Sequence, residues 1–297
     1  MASDHPVGSC VILDGDAVLK QVKAELRTRV AALRERGISP GLGTLLVGDN
    51  SASAKYVAMK HKNCKQVGIE FFHEHLAADA SQRDADAVVE RFNERAGVDA
   101  VLIQYPFPSG VDYDATVLRL DPDKDVDGLH PVNLGRLVMG VPGPRPCTPA
   151  GIQRLLVHYG VPIEGRTVVI IGRGLTVGKP LANLLSLKEP DANAAVILVH
   201  TGVPDIRPFV EAADVVVAAA GSPGIVRADM VKPGAAVVQT GTAIVDGEYA
   251  PDVDDDVREV AGWFAPVIGS VGPMTRASLL ENCVRAAERR AGVAGSR

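Results

Sequence analysis

Aromatic residues are scarce in this sequence, only 4% of the chain. That withholds the exposed rings on which single-stranded nucleic acids stack. The formal net charge is -5, and the basic residues are scattered, with no block longer than Glu288-Arg289-Arg290. Neither a nucleic acid nor an acidic membrane surface is therefore an expected partner. Long apolar runs are missing too. The longest, such as residues 215–220, are strand-sized, far below the roughly 20 residues of a membrane span. Cysteine is sparse: Cys10, Cys64, Cys147 and Cys283 lie far apart with no C-x-x-C pair. This argues against a zinc site or a disulfide framework, and for reduced, packing cysteines in a reducing, cytoplasmic setting. Residues 1–6, Met-Ala-Ser-Asp-His-Pro, lack the basic and apolar regions of a signal peptide.

What is present is a folded composition. Of 297 residues, 46% are hydrophobic and 23% charged, which suits two domains better than one. Ala, Val, Leu and Gly dominate, as expected for buried parallel strands beneath Ala-rich helices.

Strand and helix patterns alternate along the chain, the signature of βαβ units. Val18, Leu19, Val22, Leu26, Val30 and Leu33 recur at helical spacing over 16–36, with Gly37 beyond as a C-cap. A buried strand is expected over 43–47. A helix over 53–67 follows, with Ser51 or Ser53 as its cap and Gly68 after it. A weaker strand over 71–75, a helix over 83–94 and a strand over 99–104 complete the first half. The second half opens near Cys147, with Thr148 as the cap and Pro149 as the first residue of a helix. Strands are then expected over 167–171, 196–199, 215–219 and 235–239, with a helix over 180–187. A last helix over 276–291 is expected to return to the first domain.

Between the strand over 167–171 and the next helix lies Gly172-Arg173-Gly174-Leu175-Thr176-Val177-Gly178. Strand, glycine loop and helix are the setting of a dinucleotide turn, where backbone N–H groups approach a pyrophosphate. The spacing G-x-G-x-x-x-G is one residue longer than the common fingerprint. The motif alone is weak, and a tight βα turn with no ligand is the lesser alternative in this setting. An NAD site carries an acid at the end of the second strand, for the ribose 2′-OH. Here that strand runs into His200-Thr201-Gly202. Arg173 offers a fork for a 2′-phosphate instead, so NADP is expected, with NAD as the alternative.

In the first half, Tyr56 and Lys60 share a helix face by their spacing of four. Alone, the pair reads as an ordinary solvated surface. Gln104 closes a strand before Tyr105-Pro106-Phe107-Pro108, and an acidic loop, Asp121 to Gly128, follows. The acidic loop lacks the alternation and the terminal Glu of a calcium loop, so no metal is expected.

Six segments occur in order: Tyr56-Val57-Ala58-Met59-Lys60; Gln104 with its proline-rich tail; Lys124-Asp125-Val126-Asp127-Gly128; Pro146-Cys147-Thr148-Pro149; Gly172-Arg173-Gly174 through Gly178-Lys179-Pro180; and Gly272-Pro273-Met274-Thr275. Together they resemble the bifunctional methylenetetrahydrofolate dehydrogenase/methenyltetrahydrofolate cyclohydrolase family over nearly the whole chain.

The resemblance implies an α/β protein of two domains. A three-layer folate and catalytic domain would take residues 1–147 plus 276–297, and a Rossmann-type NADP domain residues 148–275. It places the catalytic group on Lys60, Tyr56, Gln104 and Asp127: Lys60 moves protons in the hydrolytic step, Tyr56 stacks on the pterin, Gln104 bonds the lysine, and Asp127 anchors the pterin's N–H groups. Ser53, Gly272 and Pro273 are carried over as further substrate contacts. The cofactor positions fall on Gly172, Arg173, Gly174, Thr176, Val177, Gly178, Thr201, Gly221 and Thr242. The family also implies one-carbon metabolism feeding purine biosynthesis, and a homodimer.

The chain departs from the family's pattern at Gln239-Thr240-Gly241-Thr242, at Pro251, at residues 266–272 and at Tyr105. Two other readings stand beside the main one. One is a shikimate-dehydrogenase-like enzyme, which leaves the Asp125–Gly128 and Gly272–Thr275 segments without a role. The other is a folate-binding paralogue that has lost turnover.

Overall fold

The computed structural model describes residues 10–245 and 248–293, without the side chains of Thr242 and Tyr249. The segment read as no signal peptide, residues 1–6, lies outside the described residues.

The chain enters through a two-residue strand, β1 (Val11–Ile12), and a long helix, α1 (Gly15–Glu35). Then follow β2 (Gly41–Val47), α2 (Ser51–Val67), β3 (Glu70–Leu76), α3 (Gln82–Glu94), β4 (Ala100–Gln104), α4 (Tyr113–Val117) and α5 (Pro131–Met139). The second half runs α6 (Cys147–His158), β5 (Thr167–Ile171), α7 (Gly178–Leu185), β6 (Ala195–Val199), α8 (Arg207–Ala212), β7 (Val215–Ala218) and β8 (Ala236–Gln239). A hairpin of β9 (Thr242–Val245) and β10 (Glu248–Pro251), then β11 (Trp263–Ala265) and α9 (Val271–Arg290), complete it.

Two compact units result. One comprises residues 20–147 and the C-terminal segment from Arg276. Its sheet is parallel, in the order β3-β2-β4, with Leu46 opposite Gln104 and Leu46 opposite His75. Strand β2 is buried along its whole length, which only an apolar run flanked by small residues permits. Gly43 lies against the Phe92 ring of α3, where a Cβ would stand 3.1 Å from it. Residues of α9 belong to this unit's fabric: Arg290 pairs with the buried Asp99 at 2.6 Å, and Arg29 forks onto Glu288 at 2.7 and 2.8 Å. Asn282 donates to the carbonyls of Val126 and Arg145.

The other unit comprises residues up to Leu19 and Thr148–Thr275. Six parallel strands run in the order β1-β11-β8-β7-β5-β6, around a core of Val, Ile and Ala. This corrects the placement of the first residues. Val11 and Ile12 pair with Trp263 and Phe264, so the N-terminal strand extends the second unit's sheet. The capping expectations also change. Asn50, not Ser51 or Ser53, caps α2, its side chain accepting from Ser53 N at 3.0 Å. Helix α6 already begins at Cys147, and the Thr148 hydroxyl lies 3.1 Å from that of Thr275. Both helices start earlier than expected, which leaves Ser53 and Thr148 inside the first turn rather than at the cap.

Candidate active site

Helix α2 packs by a stripe of Ser53, Val57, Cys64 and Val67. The spacing 4-then-3 leaves room for one more member between Val57 and Cys64, and that position is Lys60. The residue is half-buried, and its Nζ donates to Gln104 Oε1 at 3.1 Å. Tyr56, one turn earlier, is 53% exposed, a ring with a free face. Ser53 is buried, its hydroxyl donating to Tyr105 O at 3.4 Å.

Gln104 ends β4, and its amide donates to Tyr105 O at 2.7 Å, which fixes which end of the carboxamide faces Lys60. The loop beyond is braced by rings. Tyr113 meets Tyr105 and Phe107 edge-on, at 5.2 and 5.3 Å between centroids. Burial, with the Asp127 and Asp125 charges nearby, pushes the Tyr113 phenol above its usual range. It stays a neutral donor, to Ile103 O.

The acidic loop supplies Asp127. Val126 N donates to Val101 O at 3.2 Å, which hooks the loop to β4. Asp125 is buried and spends its carboxylate on the loop itself, accepting from Gly128 N (3.1 Å), His130 N (2.8 Å) and Asn133 Nδ2 (3.0 Å). Lys124 closes the end of α3, donating to Phe92 O and Asn93 O. Gly128 has φ +71°, and a Cβ there would strike Arg145 at 2.5 Å. Of the two acids, only Asp127 is left for a ligand. Burial raises its carboxyl above the ordinary value and Asp125 adds to the rise, while the Lys60 charge and a hydrogen bond from Cys147 oppose it. Lys60, Gln104 and Asp127 are thus brought together, with Tyr56 and Ser53 on the same helix. Burial pushes Cys64 up to about 12 and Cys147 well above its usual value, so both stay thiols.

In the second unit, the glycine loop joins β5 to α7. A Cβ on Gly172 would stand 2.2 Å from Ala219 O, and one on Gly178 would stand 2.0 Å from Gly172 O. Packing alone demands these two glycines. Gly174 is different: a Cβ there meets nothing within 4 Å. Its openness leaves the backbone free for close approach by a ligand, and no side chain caps α7. Thr176 is exposed beside it and Val177 stands at the N-cap position of α7. The exposed Arg173 has Nη1 3.4 Å from His200 Nε2, where β6 ends and where an NAD site would carry an acid. Open glycine backbone, uncapped helix start and two nitrogenous side chains fit an NADP pyrophosphate and 2′-phosphate.

Thr201 follows His200, exposed, and Gly221 (φ +64°) lies in the loop after β7. Thr242 opens β9, and its side chain lies outside the described residues. Gln239 ends β8, its amide donating to Gly241 O and its Oε1 buried without a partner. Gly272 and Pro273 lie in the first turn of α9 and belong to this second unit, Gly272 exposed and Pro273 buried.

Comparison with known proteins meets this geometry on both units. Residues 13–127 match the tetrahydrofolate dehydrogenase/cyclohydrolase catalytic domain, and residues 146–291 match the NAD(P)-binding domain of the same proteins. The bifunctional protein FolD of Syntrophotalea carbinolica is 53% identical over 97% of this chain and 99% of its own. The crystal structure of FolD, a methylenetetrahydrofolate dehydrogenase/cyclohydrolase, from Campylobacter jejuni is 38% identical. It covers 95% of this chain and all of its own, with a TM-score of 0.90. The FolD of Trypanosoma brucei, crystallised with NADP cofactor and an inhibitor, is 38% identical with a TM-score of 0.88, over 97% of this chain and 99% of its own.

Proposed function

This chain belongs to the tetrahydrofolate dehydrogenase/cyclohydrolase family, and we propose that Lys60, Gln104, Asp127, Tyr56 and Ser53 form the centre at which it turns over folate. The protein is an NADP-dependent methylenetetrahydrofolate dehydrogenase and methenyltetrahydrofolate cyclohydrolase of one-carbon metabolism. It oxidises 5,10-methylenetetrahydrofolate to the 5,10-methenyl cation and hydrolyses that cation to 10-formyltetrahydrofolate. The observation that carries the assignment of the centre is Lys60 standing on the buried stripe of α2 with its ammonium on Gln104.

Asp127 is the anchor. A carboxylate that is largely desolvated and not consumed by its own loop gains most from the paired N–H donors of a pterin. The ring of Tyr56, exposed on one side, is the stacking platform. Bound NADP supplies the acceptor for the hydride that leaves the one-carbon bridge. In the second step, water adds to the bridging carbon of the methenyl cation. One proton is released, and the C–N5 bond breaks as N5 takes up a proton. Lys60 holds the water and relays that proton, and Gln104 fixes the direction of its ammonium. Arg173 receives the 2′-phosphate, and Gly174 admits the pyrophosphate to the backbone.

We assign Thr176, Val177, Gly178, Thr201, Gly221 and Thr242 to the remaining cofactor contacts, and Gly272 and Pro273 to the folate. The product, a formyl donor, fits a supply role in purine biosynthesis. Free, mostly buried thiols fit a cytoplasmic setting, and no described helix is long and apolar enough to cross a membrane. A homodimer is supported by β3, a seven-residue strand at the edge of its sheet whose backbone groups on that side invite a second copy. Mixing the protein with methylenetetrahydrofolate and NADP, wild type against Lys60→Met, tests the centre: the variant should form reduced cofactor and let the methenyl product persist.

A further inference from the structure

Asp252 is fully buried directly after β10, and its carboxylate accepts three successive backbone N–H groups. Oδ2 accepts from Ala220 at 2.7 Å and Gly221 at 3.0 Å, and Oδ1 accepts from Ser222 at 2.7 Å. Successive N–H groups converging on one point form the concavity that proteins use for anions. Here the chain fills that concavity with a carboxylate of its own. Room for it depends on Gly241, where a Cβ would stand 1.9 Å from Oδ2.

The segment so held, residues 219–222, is the loop leaving β7 at the same end of the sheet as the glycine turn. The two loops touch, since Gly172 can be only glycine beneath Ala219 O. Residues 220–222 are exposed while their anchor is wholly buried. The loop has little side-chain bulk, at Ala220-Gly221-Ser222, and these residues are exposed. Three charge-assisted hydrogen bonds to one rigid acceptor therefore set its course.

We propose that Asp252 is a positioning residue for the NADP site, holding the β7 loop as the second wall beside the glycine turn. It acts through backbone alone and touches neither folate nor cofactor. Its role rests on NADP binding in this unit. The dehydrogenase step then depends on Asp252, whereas the hydrolytic step, which uses no cofactor, does not.

The test is Asp252→Asn in the full chain. The carboxamide keeps one acceptor and turns an N–H₂ onto donors that need acceptors. The expected result is a rise in KM and Kd for NADP of roughly tenfold or more, from the loss of one to two charge-assisted bonds. Cyclohydrolase turnover, assayed directly on methenyltetrahydrofolate, should be retained, which also reports that the variant has folded. Ser222→Pro removes the Oδ1 donor from an exposed position and should shift KM for NADP in the same direction by a smaller factor. This second variant decides the matter should the first fail to fold. Wild-type titration with NADP separates the two readings, because no binding there would remove the NADP assignment itself. Unchanged NADP affinity in both variants, with only a lower melting temperature in Asp252→Asn, would overturn the proposal.

Discussion

Lys60 Nζ donates to Gln104 Oε1 at 3.1 Å, while the same carboxamide donates to Tyr105 O at 2.7 Å. The second bond settles the first, because it leaves the oxygen as the only end of Gln104 that can face the ammonium. Gln104→Ala frees Lys60 to wander. The cyclohydrolase rate should fall roughly a hundredfold, the size of a misplaced proton-transfer group. The dehydrogenase rate should fall less, which parallel assays of both steps will measure.

Asp127, proposed above as the folate anchor, also carries a stability signature. Burial raises its carboxyl above the ordinary value of 3.8. Folded protein thus holds this proton more tightly than unfolded chain does. Stability from this group is full below about 4 and is lost as pH rises through the folded value. Asp127→Asn removes the penalty. Its melting temperature should exceed that of wild type at pH 8, and the gap should close toward pH 4, while folate affinity is lost. A less stable variant at pH 8 would count against the assignment.

The glycine loop separates structural from ligand-driven glycines. Gly178→Ala sets a Cβ 2.0 Å from Gly172 O, backbone against backbone, and should destabilise the second unit by several kcal/mol. Gly174→Val adds bulk where nothing lies within 4 Å. It should leave the melting temperature within a degree or two and weaken NADP binding at least tenfold. Thermal melts with and without NADP resolve both.

Arg173 is expected to discriminate between cofactors. Arg173→Ala should raise KM for NADP by roughly ten- to a hundredfold, the worth of a charge-assisted pair, and barely change KM for NAD. Equal losses for both cofactors would move the 2′-phosphate elsewhere.

Much of this was legible in the residues. Strand β5 stands where its β-branched run places it, and the helix–strand alternation gives the two α/β units. The lysine was visible as a motif, yet its burial was not, because Lys60 looks solvated until Val57 and Cys64 are seen to form the stripe it completes. Pairing partners far along the chain escaped. Val11–Ile12 is too short to announce a strand, and only Trp263 and Phe264 make it one. The β9–β10 hairpin and the role of Asp252 escaped likewise, since a single aspartate says nothing until three N–H groups meet it. Asp125 and Asp127 read alike in sequence; the structure distinguishes them by showing that Asp125 is spent on its own loop.

We predict that one lysine, held by Gln104, separates the two activities of this chain. The direct measurement is absorbance after mixing enzyme, methylenetetrahydrofolate and NADP, for wild type and Lys60→Met. Reduced cofactor should appear with both, and the methenyl band should decay with wild type and persist with the variant. A methenyl band that decays equally fast with Lys60→Met would remove Lys60 from the hydrolytic step.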